Sequence, residues 1–197
     1  MPETVFGILV GIGLAAACGF RVFVPLFALS IAARSGQVPL ADDFAWVATT
    51  PAMVALGSAT VLEIVAYYVP WLDHTLDAIA TPAAVFAGVV ATAAVVTDLS
   101  PVLRWGLAVV AGGGIAGTVQ GATVLTRLKS GVTTAGIGNP VVATGELVGS
   151  TVTSVLAVLV PLIALVAVVT MLVVVFTLTR RIFFGRSGAK QARSRTR

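Results

Sequence analysis

The chain has 197 residues, of which 58% are hydrophobic and only 10% charged, and its formal net charge is +4. A soluble domain of this length needs more charge to cover its surface, so the composition excludes an ordinary water-soluble protein. Several apolar runs approach or exceed the roughly 20 residues that cross a bilayer, and we therefore expect an all-α, polytopic transmembrane helical bundle.

Six apolar segments follow one another and predict a single transmembrane domain over residues 1–182. The segments cover residues 4–33, 51–69, 82–97, 102–126, 141–160 and 161–178. The last two run together, and as one helix they would be about 60 Å long, twice the thickness of the hydrocarbon core. We therefore expect a turn near Pro161.

The first segment combines a strip of small residues with a charge and a helix breaker. Small residues recur at every fourth position, namely Gly7, Gly11, Ala15 and Gly19. On a helix they form one smooth face on which another backbone can pack closely. Pro25 follows Arg21 by four residues, so its ring would clash with the carbonyl of Arg21. We predict a broken helix near Arg21–Pro25.

Arg21 and Glu63 are charges deep inside apolar segments, and Gln120 is an uncharged polar group inside another. An arginine at the bilayer centre costs roughly 2.5–3.5 kcal/mol, so it faces the protein interior or a wet cavity. Because guanidinium binds carboxylate or phosphate through two parallel bonds, we predict an anion or lipid-headgroup contact at Arg21. The alternative is an arginine that pairs with a neighbour or extends to the interface.

Glu63 has two interpretations, a proton or cation site or a structural partner for an arginine or a backbone group. Straight helices would keep Glu63 and Arg21 more than about 10 Å apart in depth. The two meet only if the first helix tilts strongly or breaks near Pro25. We place Arg21, Glu63 and Gln120 in the predicted substrate site.

Asp73, His74 and Asp77 lie close together in the second polar loop, and carboxylates with a histidine can bind a cation. We treat them as a candidate ion or proton site, although a solvated loop face is the simpler interpretation. The single Cys18 makes neither an intramolecular disulfide nor a metal site. We expect no metal, no cofactor and no enzymatic activity, because no catalytic constellation or nucleotide fingerprint is present.

The fourth segment carries a second glycine strip, and it resembles the first segment in that respect. Gly113, Gly117 and Gly121 recur at every fourth position and predict close helix packing. The stretch Val61–Pro70 is also similar to Val152–Pro161 in register. Residues 1–99 therefore pair with 100–182 in a predicted 3+3 inverted repeat, an arrangement found in secondary transporters.

The basic residues concentrate in the last part of the chain and predict the orientation. They are Arg180, Arg181, Arg186, Lys190, Arg193, Arg195 and Arg197. With six crossings both termini share one side with Arg127 and Lys129, and the positive-inside rule makes that side cytoplasmic. A competing topology folds the first and fourth segments as re-entrant hairpins. We expect a disordered basic tail over 183–197 that attracts anionic lipid headgroups, with no nucleic-acid partner.

Three short motifs carry a family resemblance. They are Gly19-Phe20-Arg21 followed by Pro25-Leu26, Pro70-Trp71-Leu72-Asp73 followed by Asp77, and Gly138-Asn139-Pro140. The chain resembles, over about residues 4–180, a bacterial family of small multi-pass membrane proteins that is catalogued as domain of unknown function 4126. The resemblance implies a small domain of bundled helices in the bacterial inner membrane, and it implies no activity.

The leading hypothesis is a small transporter or permease for an anionic solute or lipid headgroup, which forms a homo-oligomer. Arg21 would contact the substrate and Glu63 would couple its movement to protons or ions. The alternative is a non-catalytic membrane scaffold or assembly factor whose basic tail binds lipid or a partner. A membrane enzyme that uses Asp73, His74 and Asp77 is the least favoured class, because no nucleophile and base are paired.

Overall fold

The computed structural model describes residues 3–194, with the side chains of 70–78, 178–179 and 181–194 excepted. Over these residues the fold is entirely helical. The helices are α1 Glu3–Cys18, α2 Phe23–Arg34, α3 Thr50–Ala66, α4 Pro70–Val95, α5 Pro101–Leu107, α6 Gly114–Thr134, α7 Asn139–Leu159 and α8 Pro161–Ser194. A 3-10 helix, Asp42–Ala48, precedes α3, and a π-helical segment, Ala108–Gly113, joins α5 to α6.

The predicted first segment is broken at residues 19–22, and its two halves, α1 and α2, fold back on each other. Gly13 of α1 packs against Ala157 of α7, and Ala32 of α2 lines a groove with Val158 of the same helix. Residues 13 and 32 therefore lie at the same level, with Arg21 at the turn between the two helices. The predicted break is confirmed, and it is a reversal of the chain.

The contacts of α1 define the two ends of the bundle. Gly7 packs against Val95 near the end of α4, and Thr4 donates a hydrogen bond to Asp98 beyond it. We call this end the base. At the other end, which we call the tip, the turn after α1 brings Arg21 to Ala143 near the start of α7.

The remaining helices run between base and tip. Helix α3 starts beside Arg34 at the base, and its Glu63 reaches Val22 at the tip. The predicted turn near Pro161 separates α7 from α8, which starts beside Gly13. Further along α8, Met171 and Val175 share a cavity with Glu146 at the tip.

These contacts give the direction of the first and last helices within the bundle. The start of α1 lies at the base and residues 171–175 of α8 lie at the tip. The prediction of six crossings counted the first segment as one crossing, and that segment is a hairpin; the side of the membrane on which each terminus lies stays a prediction. The competing topology also made the fourth segment a hairpin, but Pro101–Thr134 is one continuous helix.

The bundle has the dimensions and surface of a membrane protein. Among the described residues, Pro101–Thr134 and Asn139–Leu159 are helices long and apolar enough to cross a membrane. Helix α3 and the 3-10 helix before it, bent by 67° at their junction, are long and apolar enough only when they are taken together, as a broken span or a re-entrant loop. Shorter apolar helices are Glu3–Cys18, Phe23–Arg34, Ile79–Val95 and Pro161–Thr177. Large apolar side chains face outward, among them Leu62, Phe86 and Phe176, which are 69%, 70% and 66% exposed. Such a surface suits lipid.

Glycines on α1 and around the π segment allow the closest helix contacts. A Cβ on Gly7 would overlap the carbonyl oxygen of Val95, and one on Gly19 would lie 2.6 Å from that of Ala116. Gly11 packs against Thr92. The small residues thus let α1 lie directly on α4 and α6.

The second predicted glycine strip is only partly a packing surface. Gly113 and Gly117 contact Val89 and Val85 of α4. The prediction of close helix packing at Gly121 is wrong, because this residue is exposed and has open space around it. Residue 121 no longer faces α4, because residues spaced four apart move steadily around a helix that has 3.6 residues per turn.

Two other predictions concern the architecture of the halves and the tail. Helices α3 and α7 run in opposite directions, as do α4 and α8, but a hairpin opens the first half and one continuous helix opens the second. The inverted repeat therefore stays a prediction. Helix α8 is described as far as Ser194, and Ala, Lys, Gln and Arg in its last part favour a helix. The disordered tail over 183–197 stays a prediction.

Candidate functional site

Arg21 occupies the turn between α1 and α2 and lies in the interior of the bundle. The turn is closed by backbone hydrogen bonds from Phe20 and Arg21 to the carbonyl of Ala17. Arg21 is only 2% exposed, and its Nη2 donates a hydrogen bond of 2.8 Å to the carbonyl of Ala143. Its guanidinium lies over the ring of Tyr67, 3.8 Å from the centroid.

Most of the hydrogen-bonding capacity of Arg21 is unused. Its Nε and Nη1 are buried and have no hydrogen-bond partner among the described residues. Its Nη2 lies 3.8 Å from Oε2 of Glu146, a distance of charge attraction without a hydrogen bond. A buried donor without an acceptor costs about 1–3 kcal/mol, and more when it is charged. Arg21 is therefore a strong donor that is ready for an anion.

Arg127 and Glu146 form the other half of the cluster. Nε of Arg127 donates to Oε1 of Glu146 at 2.9 Å, and its Nη2 contacts Oε2, so the pair is bidentate. Arg127 also lies over the ring of Tyr67, 4.0 Å from the centroid. Tyr67 thus contacts both guanidiniums, and Glu146 attracts both.

The sequence analysis missed these three residues as site residues, although one signal was available. Arg127 lies seven residues before Thr134 and Glu146 seven residues after Asn139, the ends that face each other at the α6–α7 turn. Two helices joined by a short turn run antiparallel, so equal distances from the turn place these charges side by side. Tyr67 resembles an interface aromatic, and only the fold places it in the interior.

Glu63 closes the start of α2. Its Oε1 accepts a hydrogen bond of 2.7 Å from the N–H of Val22, and its Oε2 accepts one of 3.0 Å from the N–H of Phe23. The first N–H groups of a helix have no partner within it, and the helix dipole attracts a negative charge there. The contacts of Glu63 are thus those of its structural interpretation, a partner for backbone groups.

Arg21 and Glu63 are neighbours, although they form no ion pair. Glu63 is 8% exposed and interacts electrostatically with Arg21 and Arg127. They approach because the first segment breaks, one of the two conditions under which we predicted that they meet. Arg21, Arg127, Glu63 and Glu146 together form a buried cluster of two positive and two negative groups.

Two apolar clefts reach this cluster from different sides of the bundle. A cavity of about 350 Å³ lies between α6, α7 and α8, with Glu146 in its wall among Val119, Val142 and Met171. A second cavity, of about 430 Å³, lies between α2, α3 and α4 and has Glu63 and Tyr67 in its wall. Glu146, Glu63 and Tyr67 therefore border the cavities, whereas Arg21 lines neither of these two.

Gln120 is buried on α6, where it is 4% exposed, but among the described side chains no hydrogen bond joins it to Arg21 or Glu63. Asp73, His74 and Asp77 lie outside the described side chains. Among the residues that the structure does describe, no three of His, Cys, Asp and Glu are grouped so as to hold a metal ion.

A separate ion pair lies at the base. Arg104 on α5 donates to Asp43 in the 3-10 helix, and its guanidinium lies 6.0 Å from the ring centroid of Phe44. Asp43 is 72% exposed at its side chain, so water screens this pair. This ion pair joins the 3-10 helix to α5. Unlike the charges of the buried cluster, it has one exposed partner.

Comparison with known proteins identifies a family but no activity. A family model described as a domain of unknown function, DUF4126, matches residues 8–181. No curated protein and no solved structure matches the chain.

Proposed function

The chain belongs to the DUF4126 family, and we propose that it is a small membrane transporter or permease that binds an anionic solute or an anionic lipid headgroup at Arg21. The observation that carries the proposal is the guanidinium of Arg21, which is buried while its Nε and Nη1 have no acceptor among the described residues. An anion would supply an acceptor on one of the two guanidinium edges, to Nε or to Nη1.

The surroundings of Arg21 support movement as well as binding. Discontinuous helices that meet inside the bundle hold the substrates of many secondary transporters, and Arg21 lies at such a break. The two apolar clefts give access from the side for a lipid as well as for a solute. We propose no enzymatic step. The bilayer and the anionic lipids around the basic tail are the proposed partners, together with further copies of the chain that complete a path.

The proposed location is the bacterial inner membrane with the tip facing the cytoplasm. Lys129 and Arg180 belong to this end, and the basic tail follows from it, whereas Arg34 and Arg104 lie at the base. The positive-inside rule therefore assigns the C-terminus to the cytoplasm. Because α1 and α2 form a hairpin, the N-terminus belongs on the other side, which revises the prediction of two cytoplasmic termini.

The test is stabilisation of the purified protein by ligands. Thermal unfolding is followed in phosphatidylcholine nanodiscs with added acetate, phosphate or sulfate, and in nanodiscs that contain phosphatidylglycerol. We expect one small anion or the anionic lipid to raise the unfolding temperature of the wild type and of Arg104→Ala, but not of Arg21→Lys. A small anion identifies a solute and phosphatidylglycerol a headgroup. Equal stabilisation of Arg21→Lys, or none of the wild type, contradicts the proposal.

The scaffold is a second candidate, and the contacts of the other charges favour it. Glu63 holds α2, and Glu146 holds Arg127, so three of the four charged groups have structural contacts. In a scaffold, the basic tail would bind lipid or a partner. Removal of residues 180–197 would then abolish function in cells, while Arg21→Lys would be tolerated.

A further inference from the structure

The charge cluster at the tip is balanced before any ligand arrives. The positive charges of Arg21 and Arg127 are matched by Glu63 and Glu146, which are 8% and 5% exposed. An anion bound at Arg21 would add an unmatched negative charge to this buried group. An isolated buried charge is very costly, so a compensating positive charge must enter with the anion.

The two carboxylates differ in their ability to accept that charge as a proton. Each carboxylate accepts two hydrogen bonds, Glu63 from backbone N–H groups at the start of α2 and Glu146 from Arg127, so protonation weakens hydrogen bonds at either. Among the described carboxylates, Glu146 is the one whose oxygen lies within 4 Å of the Arg21 guanidinium, at 3.8 Å from Nη2, so an anion bound there would repel the charge of Glu146 most strongly. It also borders the cavity of about 350 Å³, through which a proton can reach it.

We propose that Glu146 takes up a proton when an anion binds at Arg21, so that anion and proton occupy the site together. This inference rests on the proposed function and assigns the coupling role to Glu146. A proton from water adds to one carboxylate oxygen of Glu146, which gives up its attraction to Arg21 and keeps a hydrogen bond from Arg127. The anion accepts an N–H group of Nε or of Nη1, and no covalent bond to the ligand changes.

The groups around Glu146 fit this exchange. Arg21 faces it from the α1–α2 turn and Arg127 from α6, while Tyr67 lies against both guanidiniums. Glu63 acts on the same two arginines from α3. Helix α8 contributes the apolar Met171 and Val175 to the cavity wall near Glu146. Among the described residues, Glu146 is therefore the carboxylate whose side chain is paired with both positive charges.

Proton uptake can be measured by titration calorimetry in buffers of different ionisation enthalpy. The protein is held in phosphatidylcholine nanodiscs near neutral pH. Methanesulfonate, whose charge is fixed, tests a free anion, and short-chain phosphatidylglycerol tests a lipid headgroup. The probe that binds is then used to measure proton uptake. We expect the wild type and Glu146→Asp to take up a proton for each bound anion. Glu146→Gln should bind at least as tightly without proton uptake, since its amide mimics the protonated acid.

Glu63→Asp, which keeps the charge of the cluster, is the matched control and should retain proton uptake. The infrared band of a protonated carboxyl that anion binding produces should shift in Glu146→Asp and stay unchanged in Glu63→Asp. Undiminished uptake in Glu146→Gln, a band that shifts in Glu63→Asp alone, or binding by the wild type that requires sodium and takes up no proton overturns the inference while the proposed function stands. Binding of neither probe, or binding unaffected by Arg21→Lys, overturns the proposed function as well. If a variant fails to fold, the wild-type measurement still decides whether a proton enters with the anion.

Discussion

The carboxylate of Glu63 lies 2.7 Å from the backbone nitrogen of Val22, so a side chain of α3 closes the start of α2. This contact joins the two stretches of the chain that meet at the hairpin turn. It also fixes the orientation of the turn on which Arg21 is carried.

Loss of this cap should destabilise the bundle. In Glu63→Ala the N–H groups of Val22 and Phe23 lose their acceptors. We expect the free energy of unfolding to fall by about 2 kcal/mol, and by less in Glu63→Gln, which retains one acceptor oxygen. Reversible denaturant unfolding in detergent micelles measures both values. Asp42→Asn, at an exposed acid, is the control; an effect of Glu63→Ala as small as that of the control would contradict the capping role.

The buried ion pair should be sensitive to the loss of one partner. Arg127→Ala leaves Glu146 with only the weaker attraction of Arg21, and we expect a loss of about 3–5 kcal/mol. Replacing both partners by apolar residues, as in Arg127→Met with Glu146→Leu, should cost less than either single change. Asp43→Ala, which breaks the screened pair at the base, should cost at most about 1 kcal/mol. Unfolding free energies for the set decide the order, and additive single and double changes would exclude coupling.

Gly7 and Gly121 offer a matched pair of substitutions. Gly7→Ala would push a methyl group into the carbonyl of Val95, whereas Gly121→Ala meets open space. We expect the first to lower the unfolding temperature. The second should leave it unchanged or raise it, because alanine favours the helix by about 0.5–1 kcal/mol. Equal effects of the two would show that α1 does not lie on α4 as described.

The topology can be tested by labelling single cysteines. Cys18 is fully buried, so the wild type should resist a membrane-impermeant maleimide. Glu3→Cys and Asp42→Cys, both exposed at the base, should be labelled from one side of the membrane, and Lys129→Cys at the tip from the other. In intact cells with a permeabilised outer membrane, the proposed orientation predicts labelling at positions 3 and 42 only. Labelling of all three positions from one side would restore the topology with a common side for both termini.

Local features of the sequence predicted two of the helix breaks. Pro25 and Pro161 each lie beside a break, because a proline ring removes a donor and clashes with the preceding turn. Helix α4 nevertheless continues through Pro82, where we predicted that a segment begins after a polar loop. The direction that the chain takes after a break is not a local property. After a break the chain can continue in the same direction or reverse. Here it reverses, and residues 13 and 32 pack on the same region of α7.

The site was predictable only in part for the same reason. Arg21 and Glu63 are conspicuous because charge is costly in an apolar segment. Glu146 and Arg127 lie nearer to polar loops, where charges are common, and their pairing depends on the register of α6 against α7. The role of Glu63 depends on α2 starting beside it after the chain reverses, and no spacing along the chain reveals that contact.

The π-helical segment at Ala108–Gly113 changes the angular position of the α6 residues that follow it. A π turn takes in roughly one residue more than an α turn, and each residue of an α-helix accounts for about 100° of rotation. The faces of α5 and α6 are therefore out of phase, so one periodic pattern cannot describe Pro101–Thr134 from end to end. Arg127, which pairs with Glu146, lies after this phase shift, so deletion of one residue from the π segment should turn Arg127 by about 100° away from Glu146.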